Sequence, residues 1–230
     1  MCGIWLLINK DNKDDYLNDT KYFWNIKNRG PDNSTLITFS NTCIGFHRLA
    51  IMDNNISSNQ PYILHDEKNL KTIIFIANGE VYNYRELDKK YNLNIKNSDC
   101  LTIPKLYNLM IEKYGDQGIN KWLDMFKDEI KGEFAFCLLE FDSLKNLQKI
   151  ITGRDQIGIR PLYYHEPTKD STKILFTSEL KGGLDFKDSL EEFPPGHIFI
   201  YEPDIFTNLS KTEFNFRNYY VESIIDSDAN

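Results

Sequence analysis

Apolar and polar positions follow two rhythms along this chain, and each predicts a kind of element. Unbroken apolar runs come first. Ile4-Trp5-Leu6-Leu7-Ile8 lies almost at the start, and Thr72 to Ala77 forms a second run. Both are short and rich in branched or aromatic residues, so they read as buried strands. Thr35 to Phe39 and Cys43 to Phe46 are separated by Ser40-Asn41-Thr42 and read as a hairpin. Phe134 and Phe136 alternate within a strand-like stretch from Glu133 to Phe141. Ile150 to Thr152, Leu162 to Tyr164, Lys173 to Thr177 and Ile198 to Tyr201 add further short strands.

The second rhythm is helical. Leu17, Phe23 and Ile26 recur at roughly helical spacing between Asp14 and Lys27, and Arg29-Gly30-Pro31-Asp32 closes that segment. Leu106, Met110 and Tyr114 share one face of a segment ending at Gly115, a natural stop. Pro104 is tolerated only in a first helical turn, so this helix begins close to Asp99. A shorter helix covers Ile119 to Phe126. Many antiparallel strands with a few helices predict an α+β domain built in layers.

Composition narrows the picture. The 230 residues are 41% hydrophobic and 13% aromatic, enough for one large folded domain, or two small ones, with a real core. A net charge of -7 without a lysine or arginine block leaves no nucleic-acid footprint. No apolar run approaches the ~20 residues that a membrane helix needs. No basic region precedes the first run, so a signal peptide is not expected. Cys2, Cys43, Cys100 and Cys137 are scattered, with no Cys-x-x-Cys pair and no histidine at ligand spacing, which argues against zinc. Free thiols fit a reducing, cytoplasmic setting. His47, His65, His165 and His197 have no partner at catalytic or metal spacing and read as structural or surface residues.

Candidate chemistry begins at Met1-Cys2. Removing Met1 would expose a cysteine bearing both a thiol and a free α-amine. In free peptides these groups titrate near ~8.5 and ~8, and an amine beside a nucleophile can serve as its base. On position alone, Cys2 is more simply a small buried hydrophobe. Taken singly, Arg48 reads as a solvated or structural charge, Asn78-Gly79 as a hairpin turn and Asp99 as a helix cap. The pairs Arg29 with Asp32 and Arg154 with Asp155 read as internal ion pairs that fix loops.

Together these pieces resemble the class II, N-terminal-nucleophile glutamine amidotransferase domain, and within it most the N-terminal half of asparagine synthetase. The resemblance rests on Met1-Cys2-Gly3-Ile4-Trp5, Arg29-Gly30-Pro31-Asp32 and His47-Arg48-Leu49-Ala50-Ile51-Met52-Asp53. It continues through Asn78-Gly79-Glu80-Val81-Tyr82-Asn83, Ser98-Asp99-Cys100 and Gly153 to Leu162, then Ser178-Glu179 and Phe193-Pro194-Pro195-Gly196. It implies a four-layer αββα sandwich of two antiparallel sheets, with the domain over residues 2–205 and a tail or linker over 206–230. It also implies that Cys2 attacks the side-chain amide of glutamine, with its own α-amine moving the proton. Asn78 and the Gly79 N–H would form the oxyanion hole, Arg48 would hold the α-carboxylate, and Asp99 with Glu80 would take the α-ammonium. Leu49, Ala50, Ile51 and Met52 would add backbone contacts.

Two departures qualify the resemblance. Leu101 stands where the family carries glutamate. Lys181-Gly182-Gly183-Leu184-Asp185-Phe186 is similar to the pyrophosphate loop of the synthetase half, but lacks both flanking serines and precedes Phe193-Pro194-Pro195-Gly196. It is read as a loop. ATP and magnesium are expected only in a synthetase half outside this chain, and no cofactor or metal is expected within it. The expected partners are L-glutamine and a synthetase domain or chain, with a homodimer left open. The alternatives are a catalytically silent glutamine- or partner-binding module, a glutaminase subunit for another amidotransferase, and a hydrolase of the same type acting on a different amide.

Overall fold

The computed structural model describes residues 1–9, 16–50, 58–96, 98–167, 172–202 and 216–218. Its strands are β1 (Gly3–Ile8), β2 (Asn33–Phe39), β3 (Thr42–Arg48), β4 (Tyr62–Asp66), β5 (Lys71–Val81), β6 (Gly132–Phe141), β7 (Leu147–Arg154), β8 (Tyr163–His165), β9 (Ile174–Thr177), β10 (Glu191–Glu192), β11 (His197–Tyr201) and β12 (Phe216–Asn218). Its α-helices are α1 (Tyr16–Asn25), α2 (Tyr84–Tyr91), α3 (Thr102–Tyr114) and α4 (Gly118–Asp128). The strands form two six-stranded sheets, ordered β10-β8-β9-β1-β3-β2 and β12-β11-β7-β6-β5-β4, with every strand pair antiparallel.

Side-chain alternation shows how the layers stack. Ile4, Leu6 and Ile8 of β1 meet Ile74 and Ile76 of β5 and Ala135, Cys137 and Leu139 of β6 in the core between the sheets. The other face of β1, with Trp5 and Leu7, packs on Phe23 and Ile26 around α1. The other face of β5 and β6, with Ile73, Phe75, Phe134 and Phe136, is covered by Leu106, Tyr107, Met110, Trp122 and Phe126 of α3 and α4. Helix, sheet, sheet, helices: the four-layer α+β sandwich is the observed arrangement. β1 and β5 read as unbroken apolar runs because both faces of each are buried.

Several sequence features act as expected. α3 stops at Gly115, whose φ of +55° suits glycine. Pro104 lies in the first turn of α3. Trp122 meets Phe126 edge-on at 4.8 Å and donates from its indole to the Ile103 carbonyl at 3.1 Å, satisfying its one polar atom. His47 is buried and stacked on Phe23 with ring centroids 3.9 Å apart. Its nitrogens are taken by Ser34 Oγ and the Phe23 carbonyl, so it is structural, and burial pulls it below the usual histidine range.

Elsewhere the structure departs from the reading. Asn78-Gly79 is not a hairpin turn; β5 runs through it to Val81, with Asn78 opposite Ala135 and Gly79 opposite Phe134. Arg29 pairs with Glu179 at 3.3 Å, while Asp32 accepts the Ala50 N–H at 2.7 Å, so these two charges serve different loops. Arg154 binds Glu192 and the carbonyls of Gly158, Arg160 and Phe193. Asp155 collects the backbone N–H groups of Phe134, Ile157, Ile159 and Arg160. Lys181 to Phe186 lies in a short 3-10 turn, Leu180–Phe186, whose buried glycines let it press on Thr177 and Leu175. That is a packing role. No helix among the described residues is long and apolar enough to cross a membrane.

Candidate active site

Cys2 precedes β1 and packs, half-buried, against the core between the sheets. Its surroundings fix it from three sides. Arg29 Nε donates to the Cys2 carbonyl at 2.8 Å, and Ser178 exchanges hydrogen bonds with Ile4, its backbone N–H donating to the Ile4 carbonyl and its Oγ accepting the Ile4 N–H, both at 3.0 Å. The Leu49 N–H, just beyond β3, donates to the Cys2 sulfur at 3.4 Å. Cys2 is therefore held by the Arg29 side chain and the Leu49 backbone, and Ser178 fixes the strand just after it.

Beside the thiol lies a cavity of about 260 Å³, lined among others by Cys2, Arg48, Leu49, Gly79, Glu80 and Asp99. Six residues from four separate motifs thus line one cavity. Asn78, between Ala77 and Gly79, is not itself among the lining residues. By alternation it faces as Ile74 and Ile76 do, toward the sheet that carries Cys2. It is 1% exposed, and its Nδ2 has no hydrogen-bond partner among the described residues. An unpartnered buried amide costs about 1–3 kcal/mol. Such a donor is suited to an oxygen that arrives with a ligand.

The backbone of β5 adds a second donor. Tyr82 N–H donates to the Lys131 carbonyl toward β6, so N–H groups of odd-numbered residues here face the opposite edge. On that edge Gln60 Oε1 accepts from Ala77 N–H at 2.6 Å, and Asp99 Oδ2 accepts from Val81 N–H at 2.6 Å. Gly79 sits between them, where it lines the cavity. A Cβ there would collide with the Glu133 carbonyl and Phe134, so only glycine lets the two strands close at this point.

Charges flank the cavity at both signs. Arg48 is buried and donates from Nη1 to Asn59 Oδ1 at 2.8 Å. Asp99 enters the turn that leads into α3. Burial raises its carboxyl above the usual range, against N–H groups of Val81, Asp99 and Cys100 that favour the charged form. Ala50 does not line the cavity, and Ile51 and Met52 lie outside the described residues.

Other lining residues were given no site role from the sequence, although Ser98 and Cys100 flank Asp99 in its motif. Gln60, Tyr62 and Ser98 all border the cavity. Tyr62 has its hydroxyl pushed up to about 12 by burial. Cys100, read as a core residue, is buried and also borders the site. Its thiol is pushed well above the ordinary value by burial and donates to the Gly79 carbonyl at 3.3 Å. Its place beside Asp99 was the signal. Gln60 offered none beyond preceding a proline. Among the described residues no cluster of His, Cys, Asp or Glu is placed to hold a metal ion.

The model of the glutamine amidotransferase domain matches residues 1–201. The chain belongs to that family. Among similar proteins, a putative glutamine-hydrolysing asparagine synthetase 2 of Methanocaldococcus jannaschii is 38% identical over 178 residues, 71% of this chain and 31% of its own length. The glutamine-hydrolysing asparagine synthetase of Zea mays is 35% identical over 176 residues, covering 76% and 26%. The chain therefore spans less than a third of either relative. Among solved structures, the glutamine phosphoribosylpyrophosphate amidotransferase of B. subtilis superposes with a TM-score of 0.67 at 16% identity, over 96% of this chain and 50% of its own. A regulatory enzyme of purine biosynthesis gives 0.70 at 16% identity over the same shares. These two likenesses concern the fold alone. This amidotransferase domain accordingly combines a fixed sulfur, two candidate oxyanion donors and groups of opposite charge around one cavity.

Proposed function

We propose that this domain hydrolyses L-glutamine to glutamate and ammonia through a thioester on Cys2. The observation that carries the reading is the meeting of Cys2, Gly79, Arg48 and Asp99 on one cavity; the buried, unpartnered amide of Asn78, next to Gly79 in the chain, supports it. Once Met1 is removed, the Cys2 α-amine takes the thiol proton as the sulfur attacks the side-chain carbonyl carbon of glutamine. The carbonyl oxygen becomes an oxyanion that Asn78 Nδ2 and the Gly79 N–H would stabilise. The protonated amine then gives its proton to the leaving nitrogen, the C–N bond breaks and ammonia departs. Water attacks the thioester and releases glutamate, restoring the thiol. Arg48 would bind the α-carboxylate, and Asp99 with Glu80 the α-ammonium, which selects a free amino acid over a glutamine within a peptide.

The ammonia would serve amide synthesis, most simply the conversion of aspartate to asparagine by a synthetase domain or chain, in the cytoplasm. ATP and magnesium would belong to that synthetase part. The proposed glutaminase chemistry uses only groups of this chain.

A glutamine-like chloromethyl ketone tests the reading directly. Intact mass should show loss of Met1 and a single adduct, mapped to Cys2. Cys43 and Cys137 should stay unmodified, since burial pushes each thiol up to about 12. Adducts spread over the other cysteines, or none on an unblocked Cys2, would refute it.

A further inference from the structure

Gln60 holds β5 where β4 gives out. The β4–β5 ladder ends at Tyr62 opposite Phe75. Two residues further in each direction the register would place Gln60 opposite Ala77, with Pro61 between as a residue that has no N–H to give. At that position a strand would exchange two hydrogen bonds with Ala77. The side-chain amide of Gln60 makes both. Nε2 donates to the Ala77 carbonyl at 3.0 Å, and Oε1 accepts the Ala77 N–H at 2.6 Å. Gln60 is itself buried and borders the cavity.

The next residues along β5 are Asn78 and Gly79, and beyond them Asp99 Oδ2 holds the Val81 N–H. The geometry points to Gln60 as a positioning residue for the oxyanion hole: its amide replaces the missing strand and, with Asp99, clamps the two-residue donor pair from both sides. Without the clamp, this edge of β5 is free to twist away from Cys2. Small displacements of catalytic donors are costly: about 1 Å can lower a rate by about 10²-fold. The carboxylate of Asp99 thereby does two things, binding backbone on one strand and lining the charged cavity. Gln60, a neutral group at the same edge, supplies alignment alone.

The inference rests on the proposed glutaminase reading, and the test separates the two. In the full processed chain, Gln60→Glu keeps the acceptor toward Ala77 N–H and loses the donor toward its carbonyl, while Gln60→Met removes both without adding charge. Three quantities are read: steady-state glutamate release, affinity for the aldehyde analogue of glutamine, and glutamine affinity in the Cys2→Ala background. The aldehyde forms a tetrahedral hemithioacetal with Cys2 and so presents an oxyanion. Both variants should lower kcat by about 10- to 100-fold, less than outright loss of a donor, and weaken aldehyde binding in parallel. Glutamine affinity should stay within about twofold. A raised KM at unchanged kcat would make Gln60 a substrate contact and overturn the inference. So would unchanged kinetics, or loss of folding in both variants, which would mark a structural role only. Failure of the unsubstituted chain to release glutamate would instead sink the functional reading.

Discussion

At the scale of single residues, Asn78 carries the most weight for its size. Its amide nitrogen is buried without a partner, and its strand face turns it toward the sheet of Cys2. Asn78→Ala is expected to lower kcat by about 10²–10³, with little change in KM, as measured by glutamate release. A loss below about threefold would remove it from the oxyanion hole. Asp99 makes a second prediction. The fold binds the proton of this carboxyl more tightly than the unfolded chain does, so below the ordinary carboxylate range the group adds stability, and that increment is lost as pH rises through the raised value. Binding of an ammonium has the opposite sense, because it needs the ionised form. The kcat/KM profile should therefore fall on the acid side at a pH above the ~3.9 of free aspartate, and Asp99→Asn should abolish that limb while raising KM. Of these residues, Cys2, Arg48, Asn78 and Asp99 were legible because each sits in a dense motif. Gln60 was not, since its importance comes from a register with a strand eleven or more residues away along the chain. Arg29 and Asp32 were misassigned for a related reason. Proximity in sequence suggested a pair, whereas each is committed to a group brought near by the fold.

At the scale of elements, β5 shows why local signals can mislead. Asn-Gly is a strong turn dipeptide, yet here glycine is required by the close approach of β6, and asparagine sits buried within the strand. The β6 ladder, which runs through the dipeptide to Val81, outweighs its turn preference. Gly79→Ala should thus destabilise the domain by about 1–3 kcal/mol through overpacking, a fall of several degrees in Tm by differential scanning calorimetry, together with loss of activity. An unchanged melting curve would show that the β5–β6 contact is looser than described. The helices were easier to read. α3 and α4 carry regular apolar faces and end at glycine or in polar residues. α2 lacked such a stripe, with Leu87 its one buried residue, and did not stand out.

At the scale of the whole molecule, the α+β layering was legible because each sheet presents two apolar faces, and only a stack of layers can cover four of them. What the pattern left open is which strands neighbour one another; the order β10-β8-β9-β1-β3-β2 brings Cys2 beside a strand from the far end of the domain. The chain also matches less than a third of the length of its asparagine synthetase relatives. The 230-residue chain on its own should therefore release ammonia into solution and form no asparagine from aspartate with ATP and magnesium, by amino-acid analysis of the reaction. Asparagine formed by this chain alone would place an acceptor site within it.

The central claim is that the nucleophile works only with its own free nitrogen. The most direct measurement compares glutamate release from glutamine by two preparations of the same chain, one with Cys2 unblocked and one with Met1 retained. The account predicts glutamate from the first and none above background from the second. Equal rates in both, or none from the unblocked protein, would contradict it.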